Sequence, residues 1–284
     1  LVPLSWLKEY VDIKLTPKEL AEKLTEVGLG VEKIAKDSDD VIFELEITPN
    51  RPDCLSIIGI AREIAAVEKK IIRYPKFKTN LKPSSHLEGG KAKELAIKTN
   101  AKINPRFTGI IITGIKVAKS PKWLKEKLEK VGQRPINNIV DITNYVMLEL
   151  GNPIHAFDYD KIKGAAMTVS QTKGQELFES VDGISYHLPK DAVIISDKEK
   201  VIDLCGIKGG KNTGTYEGTK TIVIRVPVEI PNLIRRTSQT LGLRSDASSI
   251  FERGVNVGGT IDALRRTVDL VLELAGGEIA SNLY

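Results

Sequence analysis

Four stretches of this 284-residue chain place polar residues and glycines where packing alone has no use for them. They are Ile47-Thr-Pro-Asn-Arg-Pro-Asp-Cys-Leu-Ser-Ile-Ile-Gly59, residues 139–158, Cys205-Gly-Ile-Lys-Gly-Gly210 and Leu243-Arg-Ser-Asp-Ala-Ser-Ser-Ile-Phe-Glu-Arg-Gly254. In the second, Thr143 and Asn144 interrupt an apolar helical pattern. Both are weak helix formers whose side chains need partners if buried, so they either face a ligand or, for Asn144, tie down a neighbouring loop. His155 follows Pro153 in what reads as a helix-exit loop. Its ring offers one nitrogen as donor and the other as acceptor, which suits the positioning of a water or an ester. A lone loop histidine is more often structural than functional. His86 and His187 read as ordinary.

The common cofactor motifs are missing. Gly206-Ile-Lys-Gly-Gly-Lys-Asn212 resembles a phosphate loop only superficially, because Cys205 stands for the first glycine and Asn212 for the magnesium-holding Ser/Thr. Gly28-Leu-Gly30 lacks the third glycine of a dinucleotide fingerprint. There is no Gly-x-Ser-x-Gly elbow and no paired-histidine zinc helix. The expectation is therefore no cofactor and no metal in this chain, with any catalysis resting on water and the substrate's own groups.

The elements that must position these residues are legible in outline. Thr16-Pro17-Lys18-Glu19 is a capping box, and its helix should run to Gly28. Residues 41–48 alternate as a half-buried strand, and Asp53 is placed to cap a helix through Ile57, Ile60, Ile64 and Val67. A lysine-, proline- and glycine-rich stretch at 75–92 reads as a linker. Beyond it the pattern predicts strands near 95–99 and 107–117, helices at about 121–132, 137–150 and 260–275, and short strands between 167 and 226. The expected fold class is α+β: a small N-terminal helix–strand module (1–74), the linker, and a larger mixed α/β domain (93–284).

Composition limits the functional classes. Charged residues are 28% and hydrophobic ones 41%, the balance of a globular protein with a core. A net charge of +5 tolerates an anionic partner without proving one. Two cysteines exclude a disulfide-stapled scaffold, and no apolar run approaches a membrane span. The expected location is the cytoplasm. The absent initial methionine suggests a trimmed N-terminus.

In order and spacing, the four stretches resemble the N-terminal part of the beta subunit of bacterial-type phenylalanine–tRNA ligases, over nearly the whole chain. The resemblance implies an N-terminal module, a linker and an editing-type domain that hydrolyses tyrosine wrongly attached to phenylalanine tRNA. A pocket that accepts phenylalanine cannot strongly reject the same ring with one added hydroxyl, so a second, hydrolytic site is required. It further implies that Thr143, Asn144 and His155 line the amino-acid pocket, with His155 the favourite for positioning water or ester. Gly206 and Gly209 would let backbone approach the substrate, and Ser245 and Ala247 would form the opposite wall. The implied partners are tRNA, through its acceptor end or weakly, and the ligase alpha subunit.

Two departures stand out. Glu32–Val41 passes almost directly into the next strand, where the family usually inserts an oligonucleotide-binding barrel. Arg225 occupies the place of a glutamate that reads the tyrosine hydroxyl, which reverses the charge. Arg225 can still serve tyrosine, favour an anion, mark a dead pocket, or simply pair with Glu229 on the strand rim. The chain also ends where the editing module should end, consistent with either an excised fragment or a free-standing relative. A lysine run (Lys116, Lys119, Lys122, Lys125, Lys127, Lys130, with Arg134) is a candidate phosphate track or a solvated helix face, and Arg235, Arg236 and Arg244 are a second candidate. Beside the editing hydrolase stand two alternatives: a non-catalytic structural fragment, and an amino-acid- or anion-binding module.

Overall fold

The computed structural model describes residues 1–83 and 92–284. His86 and part of the expected linker lie outside the described residues. The first unit contains β1 (Val2–Pro3), α1 (Leu4–Tyr10), α2 (Pro17–Glu26), β2 (Gly30–Asp37), β3 (Asp40–Glu46) and α3 (Ile57–Val67). Its antiparallel sheet has the order β1-β3-β2. The Thr16 hydroxyl accepts from the Glu19 amide, and the Glu19 carboxylate accepts from the Thr16 amide at 2.8 Å, which closes the capping box. Only the residues Ser38 and Asp39 join β2 to β3. Asp53 does not cap α3. Pro52 starts a short 3-10 turn that delays the helix, and Ser56 accepts from the Gly59 amide at 3.0 Å instead.

The remainder is built from β4 (Ala96–Lys98), β5 (Arg106–Thr113), α4 (Lys122–Lys130), α5 (Asn138–Leu150), β6 (His155–Asp158), β7 (Ala166–Gln171), β8 (Leu177–Glu179), β9 (Ser185–His187), β10 (Val193–Ser196), β11 (Val201–Leu204), β12 (Lys208–Gly209), β13 (Thr221–Val228), α6 (Pro231–Leu241), α7 (Asp246–Phe251), α8 (Thr260–Leu274) and β14 (Glu278–Ile279). The fold class is α+β. One sheet has the order β14-β5-β13-β6 and a second β12-β11-β10-β7-β4, while β8 and β9 form a hairpin.

Strand periodicity explains how these layers stack. Along β13, Ile222, Ile224 and Val226 face one way and join Ile139, Ile142, Val146 and Val268 in a core beneath α5 and α8. Val223 faces the other way, into a second core shared with Val193, Ile195 and Ile202 of the facing sheet. Arg225 occupies the next position on that inner face. The far side of the second sheet is covered by Ile234 of α6 and Phe251 of α7. The first core also takes in Trp6, Leu7, Ile57, Ile60 and Ile64, so residues 1–74 and 93–284 share continuous apolar packing. The described part of the stretch read as linker is docked: the Lys78 and Thr79 amides donate to Asp269 of α8 at 2.8 and 2.9 Å, and Leu81 is buried.

Candidate functional site

α5 supplies the first group of candidate residues. Asn137 caps it by accepting from the Ile139 and Val140 amides, and Gly151 ends it in the left-handed conformation at φ +79°. Thr143 is buried and donates back to the Val140 carbonyl at 2.7 Å. Asn144, half-buried, lines a cavity of about 550 Å³ together with Thr143, His155 and Gly209. Lys119, Val181 and Tyr216 contribute to its lining.

His155 is not on a loop. The chain turns extended directly after Pro153, and His155 opens β6 as the cross-strand neighbour of Arg225 on β13. Its ring stands edge-on to Phe157, with centroids 4.3 Å apart. On the other side is Gly209, where an added Cβ would lie 2.5 Å from the His155 Cε1 atom. Glycine at 209 therefore makes room for the imidazole. Burial first, and the positive charge of Arg225 second, lower the His155 pKa to about 4. At neutral pH the ring is uncharged, which equips it to orient a water rather than to act as a strong base.

Arg225 is fully enclosed between the sheets, 1% exposed, and its ion pair is not on a rim. One terminal nitrogen reaches Glu229 at 2.5 Å, and the guanidinium lies over the Phe107 ring at 5.1 Å. Glu229 is the first residue past β13, four positions on from Arg225, which is close enough for the two to pair. A smaller cavity of about 80 Å³ is lined by Arg225, Asp203, Gly206, Ala247 and Phe251, and also by His155 and Gly209. Gly206 has φ +68°, and a Cβ there would press to 2.8 Å from the Phe251 ring.

The candidate residues thus divide. Thr143 and Asn144 face the larger cavity, Gly206, Arg225 and Ala247 the smaller, and His155 and Gly209 belong to both. Ser245 lines neither of these. It is the N-cap of α7 and accepts from the Ser248 amide at 3.1 Å, which is why a serine stands there. Sequence reading missed Asp203 and Tyr216, and also Thr215, whose buried hydroxyl in the larger cavity has no hydrogen-bond partner among the described residues.

The lysine run does not form one track. Lys127 pairs with Glu9 at 2.6 Å and lies over the Trp6 and Tyr145 rings, and Lys130 pairs with Asp40 at 2.8 Å. Lys116 and Lys119 are exposed, and Lys119 lines the larger cavity. Asp53, Cys54 and Glu63 bring ligand-type atoms together, but Arg51 occupies the space between them, 2.8 Å from each carboxylate and 3.0 Å from the thiol. That group is an ion-pair cluster rather than a metal cradle. Among the described residues, no helix is long and apolar enough to cross a membrane.

Comparison with known proteins shows the family. The family model described as the B3/4 domain matches residues 103–276. The phenylalanine–tRNA ligase beta subunit of Carboxydothermus hydrogenoformans is 40% identical over 89% of this chain and 31% of its own length. That of Rhodopirellula baltica is 38% identical over 99% of this chain and 40% of its own, and that of Fusobacterium nucleatum 42% identical over 86% and 30%. The chain therefore spans roughly a third of the length of these curated relatives. A solved N-terminal fragment of the phenylalanyl-tRNA synthetase beta subunit from Pyrococcus horikoshii covers 98% of this chain and 74% of that one, at 18% identity and a TM-score of 0.45, a likeness too loose to add weight. With the family model matched across both sheets and the helices that flank them, the chain belongs to the B3/4 domain family and is homologous to phenylalanine–tRNA ligase beta subunits.

Proposed function

We propose that this chain hydrolyses the ester of a wrongly charged aminoacyl-tRNA, tyrosine on phenylalanine tRNA, as the editing part of a phenylalanine–tRNA ligase beta subunit. The observation that carries the reading is the meeting of two cavities of unequal size, about 550 and 80 Å³, at His155 and Gly209. An aminoacyl-tRNA end has the same build: a large nucleoside, a small side chain, and the ester between them. The larger cavity takes the terminal nucleoside, with Asn144 and Tyr216 offering polar and aromatic contact. The smaller takes the side chain against Ala247 and Phe251. The ester then lies at the shared wall.

Water adds to the ester carbonyl carbon, the carbon–oxygen bond to the ribose breaks, and the free amino acid leaves as the ribose hydroxyl is restored. The neutral His155 ring accepts a hydrogen bond from the attacking water and fixes its line of approach. The neighbouring ribose hydroxyl relays the proton, because a base with a pKa of about 4 gives little driving force of its own. In this reading the tRNA acceptor end and the ligase alpha subunit are the partners, and Lys119 offers a phosphate contact at the larger cavity. A free anion-binding module fits less well, since the Arg225 charge is already matched by Glu229 at 2.5 Å.

The test is deacylation of tyrosine-charged and phenylalanine-charged tRNA by the purified chain. Tyrosine should be released selectively, and His155→Gln, which keeps much of the ring's volume, should slow release by about 10- to 100-fold. Loss of neither amino acid from a folded protein would overturn the proposal.

A further inference from the structure

The first of the four polar- and glycine-rich stretches, 47–59, lines neither cavity at His155. Its Pro52, Ser56 and Ile58 instead line a separate cavity of about 570 Å³, which shares no residue with those two. The facing walls are the end of α5, through Leu150, Gly151 and Asn152, and the turn at 254–262 that leads into α8. Glycine lets these walls approach: a Cβ on Gly151 would lie 3.2 Å from the Ser56 Cβ, and one on Gly259 2.7 Å from the Asn152 Oδ1. Asn152 is 1% exposed, and its amide donates to the Asn256 carbonyl at 3.0 Å. Its Oδ1 accepts no hydrogen bond among the described residues and is not sealed off from the cavity.

The remaining wall, with Tyr74, Pro75 and Phe77, belongs to the strap 69–78, Lys-Lys-Ile-Ile-Arg-Tyr-Pro-Lys-Phe-Lys, which contains no acidic residue. The strap is tied down on both sides of its rings. The Arg73 amide donates to the Tyr10 carbonyl at 2.7 Å, and the Lys78 amide to Asp269 at 2.8 Å. Yet Tyr74 is 54% exposed, and Lys69, Lys70, Lys76 and Lys78 are exposed without an ion pair among the described residues. Arg62, in the cavity lining, is likewise exposed and unpaired among them. Packing accounts for neither the open ring nor the unmatched charge.

A fitting ligand is planar, anionic and able to donate a hydrogen bond, and a nucleotide is all three. Its base stacks on Tyr74 and Phe77, which any base can do through its π-face. The pairing edge of the base supplies a donor to Asn152, and phosphates meet Arg62 and the lysines. A duplex hides both the faces and the pairing edges of its bases. A free nucleotide leaves most of the strap's charge unmatched. Asp262, also in the lining, is 3.9 Å from Arg265, too far for a hydrogen bond, and can accept from a ribose 2′-hydroxyl. We propose that this cavity and its strap form a single-stranded RNA-binding site, with one unstacked base held in the cavity. The site stands apart from His155 and does not depend on the editing reading.

The test is titration of the whole chain into a fluorescently labelled, unstructured RNA of about 12 nucleotides, followed by anisotropy. Tyr74→Ala and Phe77→Ala should each weaken binding about tenfold, as loss of one stacked base does. Lys76→Gln combined with Lys78→Gln should weaken it and flatten its dependence on salt. The same RNA annealed to its complement, the same sequence as DNA, and adenosine monophosphate should each bind at least about fivefold more weakly. Thermal unfolding checks that each variant is folded. No binding by the native chain, or affinity unchanged in folded Tyr74→Ala, overturns the proposal. Equal affinity for the duplex would reduce the strap to a general polyanion contact, equal affinity for DNA would remove RNA as the partner, and equal affinity for the mononucleotide would remove the strand; each overturns it. Tyr74-dependent RNA binding by a chain that deacylates no charged tRNA would retain this site and reject the hydrolase alone.

Discussion

At the scale of single residues, Asp203 is a buried carboxylate whose ionisation works against folding. Burial raises its pKa from the ordinary 3.8 to about 7; Arg225 opposes that rise and Glu229 adds to it. The folded chain thus holds this proton across a window in which the unfolded chain has released it, so the contribution of Asp203 to stability falls as pH rises from about 3.8 to about 7. Asp203→Asn removes the charge and keeps the shape. It should raise the melting temperature more at pH 8 than at pH 4, measured by thermal unfolding at both. An equal shift at the two pH values would show that the carboxylate is not destabilised by its surroundings. The Arg225–Glu229 pairing was legible in the sequence because the two are only four residues apart, Arg225 on β13 and Glu229 just past its end. Asp203 was not, because a distant strand in the facing sheet delivers it and no local pattern encodes which sheets face each other.

At the scale of elements, what the chain announced locally was the ends of its helices. The capping box at Thr16, the Asn137 cap and Gly151 could be read from residue types because each satisfies backbone groups within a few positions. Ser245, which the resemblance put in the pocket wall, lines neither cavity, and its hydroxyl serves the backbone of α7. His155 was misplaced because nothing before Pro153 signals that the chain becomes a strand at once, paired to β13 some 70 residues later in the sequence (His155 opposite Arg225). That strand assignment makes Gly209 a positioning element. A methyl group there would come 2.5 Å from the imidazole, and β12 is tied to β11 by backbone pairing, so the ring must give way. Gly209→Ala should therefore lower tyrosine release by about 10- to 100-fold while leaving the melting temperature within a few degrees of native. A normal rate would mean that the imidazole's placement does not govern the reaction.

At the scale of the molecule, one apolar core runs from the N-terminal module into the larger domain. Trp6 stacks on Tyr145 of α5 with ring centroids 5.0 Å apart. Glu149, fully buried, accepts from Tyr10 at 2.5 Å and from Tyr145 at 3.0 Å, and pairs through both oxygens with Arg266 of α8. The helix that carries Thr143 and Asn144 is thus backed on one side by the β5–β13 sheet and on the other by α1 and α3. Removing residues 1–74 would expose Tyr145 where Trp6 stacks on it, and take away the Tyr10 partner of a buried carboxylate. Burial of a single large apolar side chain contributes about 1.5–3 kcal/mol, so uncovering a face that carries several of them costs as much as the usual marginal stability of a domain. Residues 93–284 produced alone should accordingly be insoluble or lack a cooperative thermal transition, whereas the full chain should unfold in one step by circular dichroism and calorimetry. A cooperative transition in the isolated 93–284 segment, with tyrosine release retained, would show that α5 holds its cavity-facing residues without the N-terminal unit.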